Sequence, residues 1–297
     1  MQDLYRAHLQ ETTRQEDEGS MQDSGRAQAP IGVFDSGVGG LTVAAEIMRQ
    51  LPNERMVYFG DTARVPYGSK SKDTVIRFSR QIIRYLKTWD VKAIVVACNT
   101  ASALALPEIQ KELDIPIIGV IEPGAMVAAT STKNGKIGII GTEGTINSHI
   151  HTRLIKEQNS SFEVTEKACP LFVPLVEEGL FLDTPVVDTI AGHYLNIMKE
   201  KEVDTLILGC THYPFLRETI GKVMGDSVRL VNPAYETARA LGNLLREQEI
   251  ASKEPPHDRE KQYIFSVSDE VQKLYQFAKN RFPFPVENAL QINIEEY

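Results

Sequence analysis

Cysteine is scarce in this chain, and its spacing argues against several kinds of site. Three cysteines, Cys98, Cys169 and Cys210, occur in 297 residues, and no two of them form a CxxC pair. This usage argues against a disulfide framework and against a cysteine-rich zinc site, and it fits a reducing compartment. We therefore predict a cytoplasmic protein.

Long hydrophobic runs and excess positive charge are also missing. No segment approaches the ~18 consecutive apolar residues of a transmembrane helix, and the N-terminus is polar where a secretory signal needs an apolar core. The formal net charge of −8 argues against nucleic acid and against membrane surfaces as partners. An anionic substrate would need a locally favourable site.

Motifs for metals and cofactors are missing too. The chain contains no HxxxH or HExxH arrangement. Lys70 and Lys72 have the pattern of solvated surface charges, and nothing near them suggests a lysine that carries pyridoxal phosphate. We expect no metal and no cofactor.

The composition is that of an ordinary globular protein, with 42% hydrophobic and 24% charged residues, and the length suits two domains. Residues 1–29 are a polar N-terminal extension without a sustained apolar period. They are interpreted either as a mobile extension or as a short amphipathic helix around residues 4–9.

Beyond residue 30, short apolar strands alternate with helical patterns. Residues 73–88, for example, place Val75, Phe78, Ile82, Ile83 and Leu86 on one helix face. Alternating strands and helices predict an α/β fold with mainly parallel sheets. The predicted strands are 31–34, 56–60, 93–98, 117–121, 137–141, 163–168, 205–209 and 228–231.

An internal repeat divides the chain. "VKAIVVACNTASALALPEI" (91–109) aligns without a gap with "VDTLILGCTHYPFLRETI" (203–220), and "IGVFDSG" at 31 matches "IGIIGTEG" at 137. The repeat predicts two pseudo-symmetric, Rossmann-like lobes with the active site in the cleft between them. We place the first lobe at 30–122 plus 234–297 and the second at 123–233. "YIFSV" (263–267) and a helix near 269–281 return to a lobe, whereas the last residues give no clear pattern.

Cys98 and Cys210 end equivalent strands of the repeat, and each precedes polar residues, Asn99-Thr100 and Thr211-His212. Ligands of parallel α/β sheets bind beyond the carboxyl ends of strands. Two thiols facing each other across a cleft could remove a proton from one face of a carbon and return it from the other. His212 would assist Cys210, and Asp35 would lie near Cys98. A dithiol redox couple needs sulfurs within bonding reach and is the weaker interpretation, while Cys169 is interpreted as a buried structural residue.

Asp35 decides how the glycine-rich stretch "IGVFDSGVGGLTV" (31–43) is interpreted. The glycines at 37, 39 and 40 do not form GxGxxG, and a carboxylate at the strand end would repel a pyrophosphate. We therefore predict a wall of a cofactor-free site, where the glycines bring backbone N–H groups close to a small amine-bearing substrate.

A second loop, "GDTARVPYGSKS" (60–71), follows the second predicted strand. Asp61, Thr62 and the Tyr67-Gly68 turn offer a carboxylate, a hydroxyl and backbone N–H groups. By itself this is an ordinary turn with an acidic cap.

Five motifs in order make the sequence similar to glutamate racemases: "GVFDSGVGGLTV", "GDTARVPYG", "VACNTASA", "CPLFVPLVEEG" and "GCTHYP". The match runs from about residue 30 to 250. The resemblance implies a cofactor-independent isomerase that supplies D-glutamate for bacterial peptidoglycan.

The resemblance also implies roles for residues. Cys98 would be the base acting on D-glutamate and Cys210 the base acting on L-glutamate, with Asp35 assisting Cys98 and His212 assisting Cys210. Glu177 fits the further acidic residue of the family, although Glu178 is adjacent. Substrate would be lined by Asp35, Ser36, Asp61, Tyr67, Gly68, Asn99, Thr100, Thr211 and His212. The family further suggests a homodimer and, in longer members, activation by a cell-wall precursor.

Two alternatives stay open at this stage. One is a racemase for aspartate or another amino acid, and the other is a two-lobed amino-acid-binding protein without chemistry. The second predicts that replacing both cysteines leaves function intact.

Overall fold

The computed structural model describes residues 26–180, 185–256, 258, 262–279, 282, 286 and 289–297. The predicted N-terminal extension therefore lies almost entirely outside the described residues. Among the described helices, none has the length and hydrophobicity needed to cross a membrane.

Within the described ranges, ten strands form two separate sheets, and every strand pairing is parallel. The first sheet has the order β10-β9-β2-β1-β3-β4 and the second the order β6-β5-β7-β8. The strands are β1 (Ile31–Asp35), β2 (Met56–Gly60), β3 (Ala93–Val96), β4 (Ile117–Gly119), β5 (Lys136–Gly141), β6 (Glu163–Ala168), β7 (Thr205–Gly209), β8 (Arg229–Val231), β9 (Tyr263–Val267) and β10 (Leu290–Gln291).

Helices connect the strands. They are α1 (Leu41–Gln50), α2 (Lys72–Lys87), α3 (Asn99–Leu104), α4 (Leu106–Ile109), α5 (Ile121–Ser131), α6 (Glu143–Asn147), α7 (Ile150–Gln158), α8 (Phe172–Glu177), α9 (Pro185–Glu200), α10 (Arg217–Met224), α11 (Pro233–Glu247) and α12 (Val271–Ala278). Short 3₁₀ turns lie at Tyr67–Ser69, Gln110–Glu112, Tyr213–Leu216 and Ile294–Glu296.

The predicted α/β fold with two parallel sheets is confirmed. In both sheets the first strand of the unit lies between the second and the third, the order of doubly wound folds. The registers correspond as well, since Ile31 pairs with Ala93 and Ile137 pairs with Thr205. The strands β1, β2, β3 and β7 are fully buried, and β5 is buried from Ile137 onward, which explains their continuous apolar sequences.

The predicted strand bounds all agree with the structure to within two residues. One of the two largest differences is at β3, the strand that precedes Cys98. It stops at Val96 because Cys98 is already the N-cap of α3. The C-terminal segment returns to the first sheet as β9, α12 and β10, in parallel with β2. The exact lobe bounds of 30–122, 123–233 and 234–297 stay a prediction.

Candidate active site

Both sheets direct the ends of their central strands toward one pocket. The strand order reverses between β1 and β3 and again between β5 and β7, and ligands bind at such points. Cys98 follows β3, and Cys210 follows β7 directly. The pocket is lined by Ser36, Val65, Pro66, Tyr67, Gly68, Cys98, Asn99, Thr100, Thr142, Val173, Cys210, Thr211 and His212.

Cys98 is a buried thiol held by local contacts. Its Sγ accepts a hydrogen bond from Ala101 N at 3.4 Å and donates to Ser36 Oγ at 3.6 Å. Burial, with the carboxylate of Asp35 as a second cause, raises the pKa of Cys98 to about 12. Cys98 is therefore a protonated thiol at neutral pH and can give a proton.

Asp35 fills the glycine-rich loop with its own carboxylate. Its Oδ2 accepts from Gly37 N at 3.1 Å and from Gly40 N at 2.9 Å, and Thr211 Oγ1 donates to Oδ1 at 3.3 Å. The expectation that these glycines offer their N–H groups to a substrate is thus wrong at Gly37 and Gly40, because the side chain of Asp35 already binds them. Burial is the largest influence on Asp35 and raises its pKa, against the lowering effect of His212.

Glycine at position 39 lets the first loop touch the second sheet's site residues. A Cβ at Gly39 would lie 2.5 Å from Thr211 Oγ1 and 2.7 Å from His212 Nδ1. No ordinary side chain fits there without moving His212. Gly68 is restricted in a similar way, because a Cβ there would lie 2.5 Å from Thr142 Cβ.

Cys210 lies beside a histidine that the carboxylate of Glu177 and the sulfur of Cys210 hold in its charged form. Cys210 Sγ is 3.8 Å from His212 Nδ1, and His212 Nε2 is 2.5 Å from Glu177 Oε1. Burial lowers the pKa of His212, but its hydrogen bonds to Cys210 and Glu177 outweigh burial and raise that pKa to about 10. An imidazolium therefore lies next to the sulfur of Cys210.

The choice between Glu177 and Glu178 follows from their positions at the end of α8. Glu177 contacts His212, whereas Glu178 is exposed. Burial raises the pKa of Glu177, but the contacts with His212 and Lys273 prevail and the net pKa is lowered. Glu177 is therefore an ionised partner of His212.

The structure adds Thr142 to the residues expected from the sequence. Thr142 Oγ1 lies 2.9 Å from Thr100 Oγ1 and 3.0 Å from Thr145 Oγ1, so hydroxyls of both sheets meet at the pocket. The repeat could have identified it, because the alignment of "IGVFDSG" with "IGIIGTEG" places Thr142 opposite Ser36.

Asp61 lies behind the pocket rather than in its lining. Its carboxylate accepts from the hydroxyl of Tyr67, from Arg64 Nε at 2.7 Å and from Ser268 Oγ at 2.9 Å. It thereby holds the Tyr67-Gly68 turn, while Tyr67 and Gly68 line the pocket.

Two further buried residues are Asn99 and Cys169. Asn99 lines the pocket, and its buried Oδ1 has no hydrogen-bond partner within the described part of the chain. Cys169 is fully buried in the core, where burial raises its pKa to about 12. In the same described part, no group of three or more His, Cys, Asp or Glu side chains is arranged to hold a metal ion.

Comparison with known proteins agrees with this geometry. Residues 31–241 match the family model described as Asp/Glu/Hydantoin racemase. A glutamate racemase of Geobacter metallireducens is 52% identical over 239 residues, which cover 80% of this chain and 87% of that protein. A glutamate racemase of Bacillus cereus is 41% identical over 266 residues, covering 90% and 97%.

Solved structures are similar over the same range. Glutamate racemase from Francisella tularensis in complex with D-glutamate is 36% identical, with a TM-score of 0.83 over 91% of this chain and 100% of that one. The Escherichia coli enzyme, in complex with L-glutamate and the activator UDP-MurNAc-ala, is 29% identical, with a TM-score of 0.72 over 88% and 97%. The chain belongs to the Asp/Glu/Hydantoin racemase family and is an isomerase.

Proposed function

We propose that this protein interconverts L- and D-glutamate by proton transfer between two cysteines, without a cofactor. The observation that carries the proposal is the pair of thiols at equivalent strand ends of two sheets, in opposite surroundings. Cys98 lies near a carboxylate and is held as a thiol, whereas Cys210 lies beside the His212 imidazolium. One proton donor and one acceptor are what a two-base racemase needs.

In the direction from L-glutamate, the thiolate of Cys210 takes the α-proton and becomes a thiol. Cys98 then gives its proton to the opposite face of the carbanion and becomes a thiolate. One C–H bond breaks and one forms, so the reaction needs neither an oxidant nor a reductant. From D-glutamate the two cysteines exchange roles.

The carbanion is the intermediate of highest free energy, since a carboxylate increases the acidity of the neighbouring α-proton only weakly. Preorganised donors in a pocket that excludes water stabilise such charge. Ser36, Thr100 and Thr142 supply hydroxyls, and the His212 cation supplies charge. None of the described lining residues is Arg or Lys, so neutral donors would hold most of the substrate's carboxylate oxygens.

The ammonium group of the substrate requires acceptors. The unpartnered Oδ1 of Asn99 is one such acceptor, and Asp35 adds negative charge nearby. We assign Asp61 to support of Tyr67 and not to direct substrate contact, because its carboxylate already has three donors.

The choice of glutamate rests on the relatives. The F. tularensis structure contains D-glutamate, and the G. metallireducens relative is named a glutamate racemase. A panel of glutamate, aspartate and their enantiomers, followed by circular dichroism, tests this choice. Faster turnover of aspartate would reassign the substrate.

The mechanism is tested by α-proton exchange in D₂O with Cys98→Ala, Cys210→Ala and the double variant. We expect each single variant to lose racemisation by about 10³-fold, within the range of general acid–base catalysis, and the double variant to lose exchange as well. Cys169→Ala is the matched control, since it removes a buried thiol from the core. Normal exchange in the double variant would show that the thiols are not the bases.

D-Glutamate made by this reaction would serve peptidoglycan synthesis. The E. coli relative binds UDP-MurNAc-ala as an activator, so turnover should be measured with and without that compound. An increase would extend the same control to this protein. The expected homodimer also stays a prediction, and light scattering of the full chain tests it.

A further inference from the structure

A lysine from the C-terminal helix contacts the outer side of the Glu177 carboxylate. Lys273 Nζ lies 2.5 Å from Glu177 Oε2, while Oε1 of the same carboxylate faces His212. Lys273 lies on α12, between β9 and β10 of the first sheet, whereas Glu177 and Cys210 follow strands of the second. The ion pair therefore joins the two units next to the site.

Four side chains form one continuous row from the pocket toward the surface. The order is Cys210, His212, Glu177 and Lys273, with separations of 3.8, 2.5 and 2.5 Å. The exposed fractions of the side chains rise outward from 2% at His212 through 11% at Glu177 to 26% at Lys273. The row therefore runs from a buried end at Cys210 to a partly exposed end at Lys273.

The two cysteines are supported differently. Asp35, which acts on Cys98, is bound by backbone N–H groups of its own loop and by Thr211. Glu177, which acts on His212, has Lys273 as its second charged partner. A carboxylate with one oxygen on a histidine and the other on a fixed cation cannot rotate without breaking one of the two contacts.

We propose that Lys273 is a positioning residue for the Cys210 half of the site, which acts by holding Glu177 in the orientation that keeps His212 against Cys210. The proposal rests on the proposed racemase function. It gives α12, a helix remote in sequence from both cysteines, a part in catalysis.

The charged groups around Glu177 set the expected pH dependence. His212 and Lys273 face the carboxylate directly, Glu270 lies 3.6 Å from Lys273, and Tyr58 is a buried phenol that interacts with it electrostatically. Lys273 and His212 keep the pKa of Glu177 low despite burial. Loss of the lysine cation therefore raises the pKa of Glu177, and the acidic limb of kcat/KM moves to higher pH.

The thermodynamics of racemisation supplies an internal check. L- and D-glutamate have equal free energies in water, so kcat/KM must be the same in both directions for any variant. A change at Lys273 therefore lowers kcat/KM equally for both enantiomers, although the Cys210 half alone is altered. Unequal effects would reveal an assay error.

The experiment compares Lys273→Gln with Lys273→Arg. We expect Lys273→Gln to lower kcat about fivefold, the upper value for a partly exposed ion pair, with KM little changed and the acidic limb at higher pH. Lys273→Arg keeps the cation, so we expect it to restore kcat and the position of the acidic limb. Lys111→Gln is the control, because it removes the same charge from a surface pair with Glu108. A wild-type pH profile in Lys273→Gln, or equal impairment in Lys273→Arg, would overturn the proposal.

A second measurement separates this proposal from the proposed function. The imidazole N–H resonances of the six histidines are recorded by ¹H–¹⁵N spectroscopy in the full chain without substrate, and the His212 signal is assigned with His212→Gln. We expect Lys273→Gln to shift that signal and Lys111→Gln to leave it in place. An unshifted His212 signal contradicts the positioning role even if the protein racemises glutamate. A wild-type chain that does not racemise glutamate contradicts the function instead.

Discussion

Replacing Gly39 by alanine adds one methyl group where the first loop meets the second sheet's site residues. The added Cβ would lie 2.5 Å from Thr211 Oγ1, 2.7 Å from His212 Nδ1 and 2.8 Å from His212 Cε1. Separations that short are not tolerated, so the imidazole and the threonine must move by several tenths of an ångström or more.

The magnitude follows from two separate costs. Overpacking a well-filled site costs about 1–3 kcal/mol of unfolding free energy. Displacing a reacting group by about 1 Å lowers a rate by about 10²-fold. Because the methyl group presses on His212 Nδ1, the atom that faces Cys210, we expect the rate to suffer more than the stability.

The assay measures kcat/KM for both enantiomers by circular dichroism and stability by urea unfolding. Gly192→Ala is the matched control, since the same methyl group there meets nothing within 4 Å on α9. Alanine in a helix interior should stabilise that variant by about 0.5–1 kcal/mol and leave its rate unchanged. If folded Gly39→Ala racemised within about threefold of the wild type, the packing argument would be refuted.

Two predictions concern stability. His151 is buried, its Nε2 has no hydrogen-bond partner among the residues that the structure describes, and burial lowers its pKa from 6.5 to about 4. The unfolded chain thus binds a proton as pH falls below about 6.5 while the folded chain does not. This group should lower the free energy of unfolding by up to about 3 kcal/mol between pH 6.5 and pH 4. In urea unfolding, His151→Leu should lack this part of the decrease. Parallel curves of unfolding free energy against pH for both proteins would contradict this. Lys92 Nζ is fully buried, 2.5 Å from Glu54 Oε2, so Lys92→Met should cost about 3–5 kcal/mol by leaving a buried carboxylate unpaired. Adding Glu54→Gln should recover part of that loss, whereas a cost below about 1 kcal/mol for the single change would mean that the pair adds little.

The fold could be predicted in large part because its signals are local. The strands β1, β2, β3 and β7, and β5 from Ile137 onward, are buried on both faces, so each contains a continuous apolar run in the sequence. The repeat then predicted the correspondence between the sheets. The short β10 was missed, because its two residues are exposed and its pairing with β9 depends on tertiary contacts.

The site residues could be predicted where a reactive side chain follows shortly after the end of a strand. Cys98, Cys210 and His212 were identified in this way, and all three line the pocket. Lys273 was not identified, because a lysine on an amphipathic helix has no sequence signal that distinguishes it from a surface charge. The placement of Asp61 behind Tyr67 likewise depends on how its loop folds, since only the folded loop directs the carboxylate to the phenol and to Arg64.

The carboxylate of Asp35 occupies backbone N–H groups of the glycine-rich loop that could otherwise bind an anion. A dissolved anion binds and leaves as its concentration varies, but this carboxylate is tethered two residues from Gly37 and five from Gly40, whose N–H groups it binds. Its effective concentration is therefore fixed by the chain itself, so added phosphate or sulfate competes poorly for the same N–H groups. We therefore expect the backbone N–H groups of Gly37 and Gly40 to stay bound to Asp35 when such anions are added.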